Sequence, residues 1–109
     1  MRHLIAVALL TCGSASVAAA ADTPQIEIVI KDHRFIPAVV TIPANTKVKL
    51  LVKNQDPTPE EFESHSLNRE KVIPGNSQAV IFVGPLPVGE HKFFGEFNEA
   101  TAQGKLIVK

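Results

Sequence analysis

The stretch Lys47-Val48-Lys49-Leu50-Leu51-Val52-Lys53-Asn54 decides the fold class. Val48, Leu50 and Val52 alternate with Lys47, Lys49 and Lys53, the period-two pattern of a strand with one buried and one wet face. Upstream, Pro43-Ala44-Asn45-Thr46 reads as a turn, Phe35 to Thr41 runs extended around Pro37, and Gln25–Ile30 places Ile26, Ile28 and Ile30 on one face. Downstream, Asp56, Pro57 and Pro59 make Asn54–Glu61 a loop. Short strands are predicted over Phe62–Leu67, Arg69–Ile73, Ser77–Val83, Glu90–Phe97 and Gly104–Lys109, with turns at Pro74-Gly75-Asn76 and Pro85–Gly89. Phe93 and Phe97 are expected on one face of their strand, and Leu106 and Val108 inward on the last. The whole reads as an all-β Greek-key β-sandwich of about seven to eight strands. Eight prolines and six glycines punctuate the 109 residues, and no run has helical periodicity, so a helix-based fold is excluded.

The first segment has a different character. Arg2, the apolar run Leu4–Leu10 and an alanine tract ending at Ala21 form the three parts of a cleavable secretory signal peptide, so residues 1–21 are expected to be removed. The apolar run is far shorter than the roughly 20 residues that span a bilayer. A periplasmic location follows as an expectation. The weaker rival is a lipid anchor at Cys12, since Leu9-Leu10-Thr11-Cys12 loosely resembles a lipobox.

Residues 22–109 form one domain of 88 residues with ten Lys and Arg against eleven Asp and Glu. The near-neutral balance offers no basic patch for phosphates, so nucleic acid is not an expected partner. The domain has no cysteine, because the single one is Cys12, and a disulfide framework is excluded. No nucleophile constellation or phosphate-binding glycine loop is present either.

Three features in order resemble the cupredoxin fold: Phe35-Ile36-Pro37 after an opening strand, a strand ending at Asn54-Gln55-Asp56, and the closing Gly104-Lys105-Leu106-Ile107-Val108. In copper-binding cupredoxins the last loop carries a Cys, a His and then a Met. Those places fall here on Gly95, Asn98 and Ala102 or Gln103, and the first His place falls near Phe62 or Glu63. A blue centre needs a thiolate with two imidazoles, so no type 1 copper is expected.

The strings Pro59-Glu60-Glu61-Phe62-Glu63-Ser64, Leu67-Asn68-Arg69-Glu70-Lys71-Val72-Ile73, Phe93-Phe94-Gly95-Glu96-Phe97 and Thr101-Ala102-Gln103-Gly104 are similar to the EfeO-type cupredoxin-like proteins. That resemblance implies a periplasmic accessory of a bacterial ferrous-iron permease system, handling iron, copper or both before uptake. Its members usually carry a His where this chain has Asn98 and an acidic residue where it has Ser66.

Glu61, Glu63 and His65 share parity, so on a strand they project from one face, with Phe62 on the other. Glu96 and Glu99 lie in the loop that forms the metal end of cupredoxins. Glu63 and Glu96, then Glu61, Glu99 and His65, are the candidate metal ligands. Carboxylates with one imidazole suit iron or Mn²⁺ and accept Cu(II). His33 and His91 read as surface residues, and Arg69, Glu70 and Lys71 as a solvated face or a weak ion-pair cluster. The six phenylalanines read as core.

The expected function is metal handling; the alternative is a metal-free module that binds a membrane permease or another exported protein. Ferroxidase activity would need a redox-competent centre that the sequence does not visibly supply.

Overall fold

The computed structural model describes residues 23–109. The signal-peptide reading of residues 1–21 and the lipid anchor at Cys12 lie outside the described residues. Nine strands follow in order: β1 Gln25–Lys31, β2 Arg34–Ile36, β3 Val39–Ile42, β4 Val48–Asn54, β5 Glu60–Ser64, β6 Arg69–Ile73, β7 Ser77–Val83, β8 Gly89–Gly95 and β9 Gln103–Val108. They form a four-stranded sheet, β2-β1-β4-β7, facing a five-stranded sheet, β3-β9-β8-β5-β6. The one helical element among the described residues is a 3₁₀ turn over Glu96–Asn98. No helix among them is long and apolar enough to cross a membrane.

The central alternation of β4 folds as its sequence dictates, with Val48, Leu50 and Val52 fully buried. β4 runs parallel to β1, pairing Ile28 with Val52, and antiparallel to β7, pairing Leu50 with Ile81. Between the sheets the rings of Phe62 and Phe93 stack at 4.9 Å, and Phe35 meets both edge-on. Edge-to-face and offset stacking add to the area these rings bury. Gly104 exists because of this cluster: a Cβ there would lie 2.2 Å from the Phe93 ring.

The strand count exceeds the expected seven to eight because the run from Phe35 to Thr41 is two strands. β2 belongs to one sheet and β3 to the other, and Pro37-Ala38 carries the chain across. Two further boundaries differ. β5 begins at Glu60 and ends at Ser64, because residues 65–68 turn, with Asn68 at φ 52° and its N–H donating to the His65 carbonyl. β8 stops at Gly95, so Phe97 sits in the 3₁₀ turn and is half exposed rather than stacked under Phe93. Phe82 is also substantially exposed, with Lys47 Nζ 4.6 Å above its ring.

One end of the sandwich is tied together by Asp56. The β1–β2 hairpin turns through Asp32 and His33, both at positive φ, and their N–H groups donate to the two Asp56 carboxylate oxygens at 2.8 and 2.9 Å. Thr101, from the β8–β9 connection, donates its hydroxyl to the His33 carbonyl. Burial alone would raise Asp56, but the His33 and Asp32 N–H groups and the nearby His33 and Lys31 charges outweigh it and hold the carboxyl below its usual 3.8.

Candidate metal site

β5 carries the site. Alternation puts Phe62 in the core and sends Glu61 and Glu63 to the other face. Antiparallel pairing with β6 places Glu70 directly across from Glu63. Pairing with β8 matches Phe62 with Gly95, so the next residue, Glu96, arrives beside Glu61. Glu61, Glu63, Glu70 and Glu96 each present an oxygen, and these four atoms all lie within 4.8 Å of one another.

Four carboxylates this close repel one another. Glu61 is only 2 % exposed, and its Oε1 is buried without a hydrogen-bond partner. Burial first, then the Glu96 and Glu70 carboxylates, push its pKa up to about 8. Glu63 is raised by the same causes, burial foremost and then the charges of Glu96 and Glu70. Among the described residues no Lys or Arg forms an ion pair with any of the four; only His65 approaches, with Nδ1 3.9 Å from Glu63. Like charges this close do not all stay ionised unless a cation joins them; otherwise one of the carboxylates takes up a proton.

Three of the five predicted ligands, Glu61, Glu63 and Glu96, therefore meet. His65 lies past the end of β5, 82 % exposed, with its ring against Phe94, and is outside the group. Glu99 is exposed and also outside it; its carbonyl accepts the Gln103 side-chain amide. Glu70, read from sequence as a solvated face, is the fourth member. The signal that could have found it is the β5–β6 hairpin register, which sets Glu63 opposite Glu70 once the turn at Asn68 is fixed. His91, expected to be a solvent-facing surface residue, is half-buried, with Nδ1 2.8 Å from the Ser66 hydroxyl.

Behind this cluster, on the inner side of β5, lies a second carboxylate of opposite character. Glu60 is 1 % exposed and accepts the N–H groups of Glu61 and Phe97 at 3.0 Å on Oε1 and the Asn98 amide at 2.6 Å on Oε2. A Cβ at Gly95 would fall 2.6 Å from the Glu60 carboxyl carbon and 2.7 Å from Ala102 Cβ.

Residues 3–108 match the Cupredoxin-like domain family. The chain belongs to that family. It is 45 % identical over 84 residues to an uncharacterized protein of Rickettsia prowazekii (strain Madrid E), covering 77 % of this chain and 67 % of that one. Among solved structures it superposes on auracyanin A, a blue copper protein from Chloroflexus aurantiacus, with TM-score 0.70 at 15 % identity, covering 81 % of this chain and all of the other. The metal-binding domain of the Cu(I)-exporting P-type ATPase CopA of Streptococcus pneumoniae D39 gives 0.69 at 17 %, covering 78 % and 84 %. Amicyanin from Paracoccus versutus gives 0.62 at 16 %, covering 84 % and 86 %. At these identities the likeness is one of fold.

Blue copper does not fit this cupredoxin-like chain. Residues 22–109 contain no Cys and no Met, position 95 has no room for a side chain, and Asn98 is committed to Glu60. The donor set on the outer face is all oxygen, which suits hard cations rather than Cu(I).

Proposed function

We propose that this protein is an exported, EfeO-type metal-handling module that holds iron, with Cu(II) as the second choice, at Glu61, Glu63, Glu70 and Glu96 as an accessory to iron uptake. The observation that carries this reading is the buried, unpartnered Glu61 Oε1 inside a ring of three further carboxylates. A buried acceptor without a donor is costly, and a cation would satisfy it and neutralise its neighbours together. The Glu61 proton leaves on binding, so affinity rises with pH through about 8.

Fe(II) under anaerobic conditions and Cu(II) are titrated calorimetrically into residues 22–109. One ion per chain is expected, with about a tenfold or greater loss of affinity in Glu61→Gln/Glu96→Gln, since first-sphere ligands are removed. Absence of heat with both metals would sink the proposal. A second reading, a metal-free module docking on a membrane permease or other exported partner, draws on the interior network in which Gly95 and Asn98 serve Glu60 rather than a metal. It predicts that neutralising the four outer carboxylates leaves function in the cell intact.

A further inference from the structure

The Glu96 carboxylate reaches Glu61 only because the chain leaves β8 and turns sharply at Glu96–Asn98. That 3₁₀ turn has no side-chain cap from its own segment: Gly95, at the N-cap position, has no side chain to offer. An N-cap acceptor ordinarily takes the N–H of the second or third residue of the turn. Here the Phe97 N–H, the second residue's donor, goes to Glu60 Oε1 across from β5, and the Asn98 side-chain amide goes to Oε2. The same Oε1 accepts the Glu61 N–H. One buried carboxylate thus bridges the backbone of Glu61 and the turn that carries Glu96.

We infer that Glu60 is a positioning residue for the outer site: it caps the Glu96–Asn98 turn from the neighbouring strand and so fixes the Glu96 carboxylate against Glu61. This rests on the metal-binding reading above, but the cap itself does not need a metal to be seen. Glycine at position 95 is part of the device, because the carboxyl group that caps the turn occupies the space where a Cβ would project. Around it, the Gly95 N–H donates to the Ala102 carbonyl and the Ala102 N–H to the Asn98 carbonyl, so the connection is a closed loop that Glu60 pins at one point.

Two measurements decide the matter. In the metal-free protein, amide hydrogen exchange at Phe97 is expected to accelerate at least about tenfold in Glu60→Ala, because the opening of that turn is set by the bonds that hold it. Unchanged exchange at Phe97 would overturn the assignment. With Fe(II), Glu60→Ala is expected to weaken binding about tenfold, the lower end for outer-shell partners. In a Glu96→Gln background, the same change should cost clearly less, about threefold or under, since only the Glu61 N–H is then left for Glu60 to hold beside the site.

An equal loss in both backgrounds would reduce Glu60 to a general stabiliser and overturn the proposal. Glu60→Gln is the control that folds. Its oxygen keeps the Glu61 and Phe97 donors and its amide donates to a flipped Asn98, so affinity within about twofold of wild type is expected. If the unaltered chain binds no Fe(II), the proposed function falls while Phe97 exchange still decides for or against the cap.

Discussion

Glu60 and Glu61 are adjacent in the chain, both essentially inaccessible to water, and opposite in every other respect. Glu60 faces inward and is met by three donors, two from backbone and one from Asn98. Glu61 faces a ring of carboxylates and has an oxygen with no donor at all. Burial is therefore not what distinguishes the two acids. The difference is whether the fold supplies the positive hydrogen-bonding ends that a carboxylate needs. Asp56 repeats the Glu60 pattern at the β1–β2 turn, where backbone N–H groups hold it ionised.

The largest expected effect follows from removing the satisfied member of the pair. Glu60→Ala strips the acceptor from the Phe97 and Glu61 N–H groups and the Asn98 amide, and should cost about 3 kcal/mol, given roughly 1–3 kcal/mol for each buried group left unpaired. Urea unfolding of the metal-free protein should show this loss for Glu60→Ala and a clearly smaller one for Glu61→Ala. Equal losses would erase the distinction. Next in size is Gly95→Ala, whose Cβ would meet the Glu60 carboxyl carbon and Ala102 Cβ at 2.6 and 2.7 Å. Overpacking of this kind costs about 1–3 kcal/mol, measurable as a lower thermal midpoint, and Glu60→Ala should partly relieve it in the double variant.

The sandwich was legible in the sequence because alternation survives in β1, β4, β7 and β9, where every second residue is apolar. The fold fails to announce itself where charge is buried. Glu60 and Glu61 open β5, yet two charged residues after Pro57 and Pro59 carry the local signal of a loop. Parity within one strand was enough to group Glu61 with Glu63, and the loop position was enough to bring in Glu96. Glu70 required knowing which residue of β6 lies opposite Glu63, a relation set by the turn geometry at Asn68 rather than by any pattern within β6. His65 shows the same limit in reverse, since its parity with Glu63 has meaning only if the strand continues, and it ends at Ser64.

Glu61 also makes stability depend on pH. Folding raises Glu61 from its usual 4.5 to about 8, so the folded chain binds an extra proton between those values. Its contribution to stability is fully present below about 4.5 and is lost as pH rises through about 8. Glu63 is shifted the same way, and Asp56 oppositely: its contribution is present above 3.8 and lost as pH falls through its lowered folded value. Thermal unfolding of the metal-free chain from pH 5 to 9 should therefore show wild type losing stability relative to Glu61→Gln as pH rises. A constant difference would mean that Glu61 gives up its proton as readily in the folded chain as in the unfolded one. Bound Fe(II) should remove the slope, because the ion takes the place of the proton.

The smallest expected effect lies at the rim. His65 is 3.9 Å from Glu63 and largely in water, and Glu99 lies outside the four-carboxylate group, so neither touches the position where the oxygens converge. Water screens such a pair, so it contributes little. His65→Ala and Glu99→Gln should each change Fe(II) affinity less than about threefold, whereas Glu70→Gln should weaken it by about tenfold or more. Calorimetry on the three variants would invert the assignment if His65→Ala proved the costlier change. Such a result would mean that the residues 65–68 turn swings the imidazole over Glu63 when the ion arrives, making the site mixed oxygen and nitrogen and shifting its preference toward Cu(II).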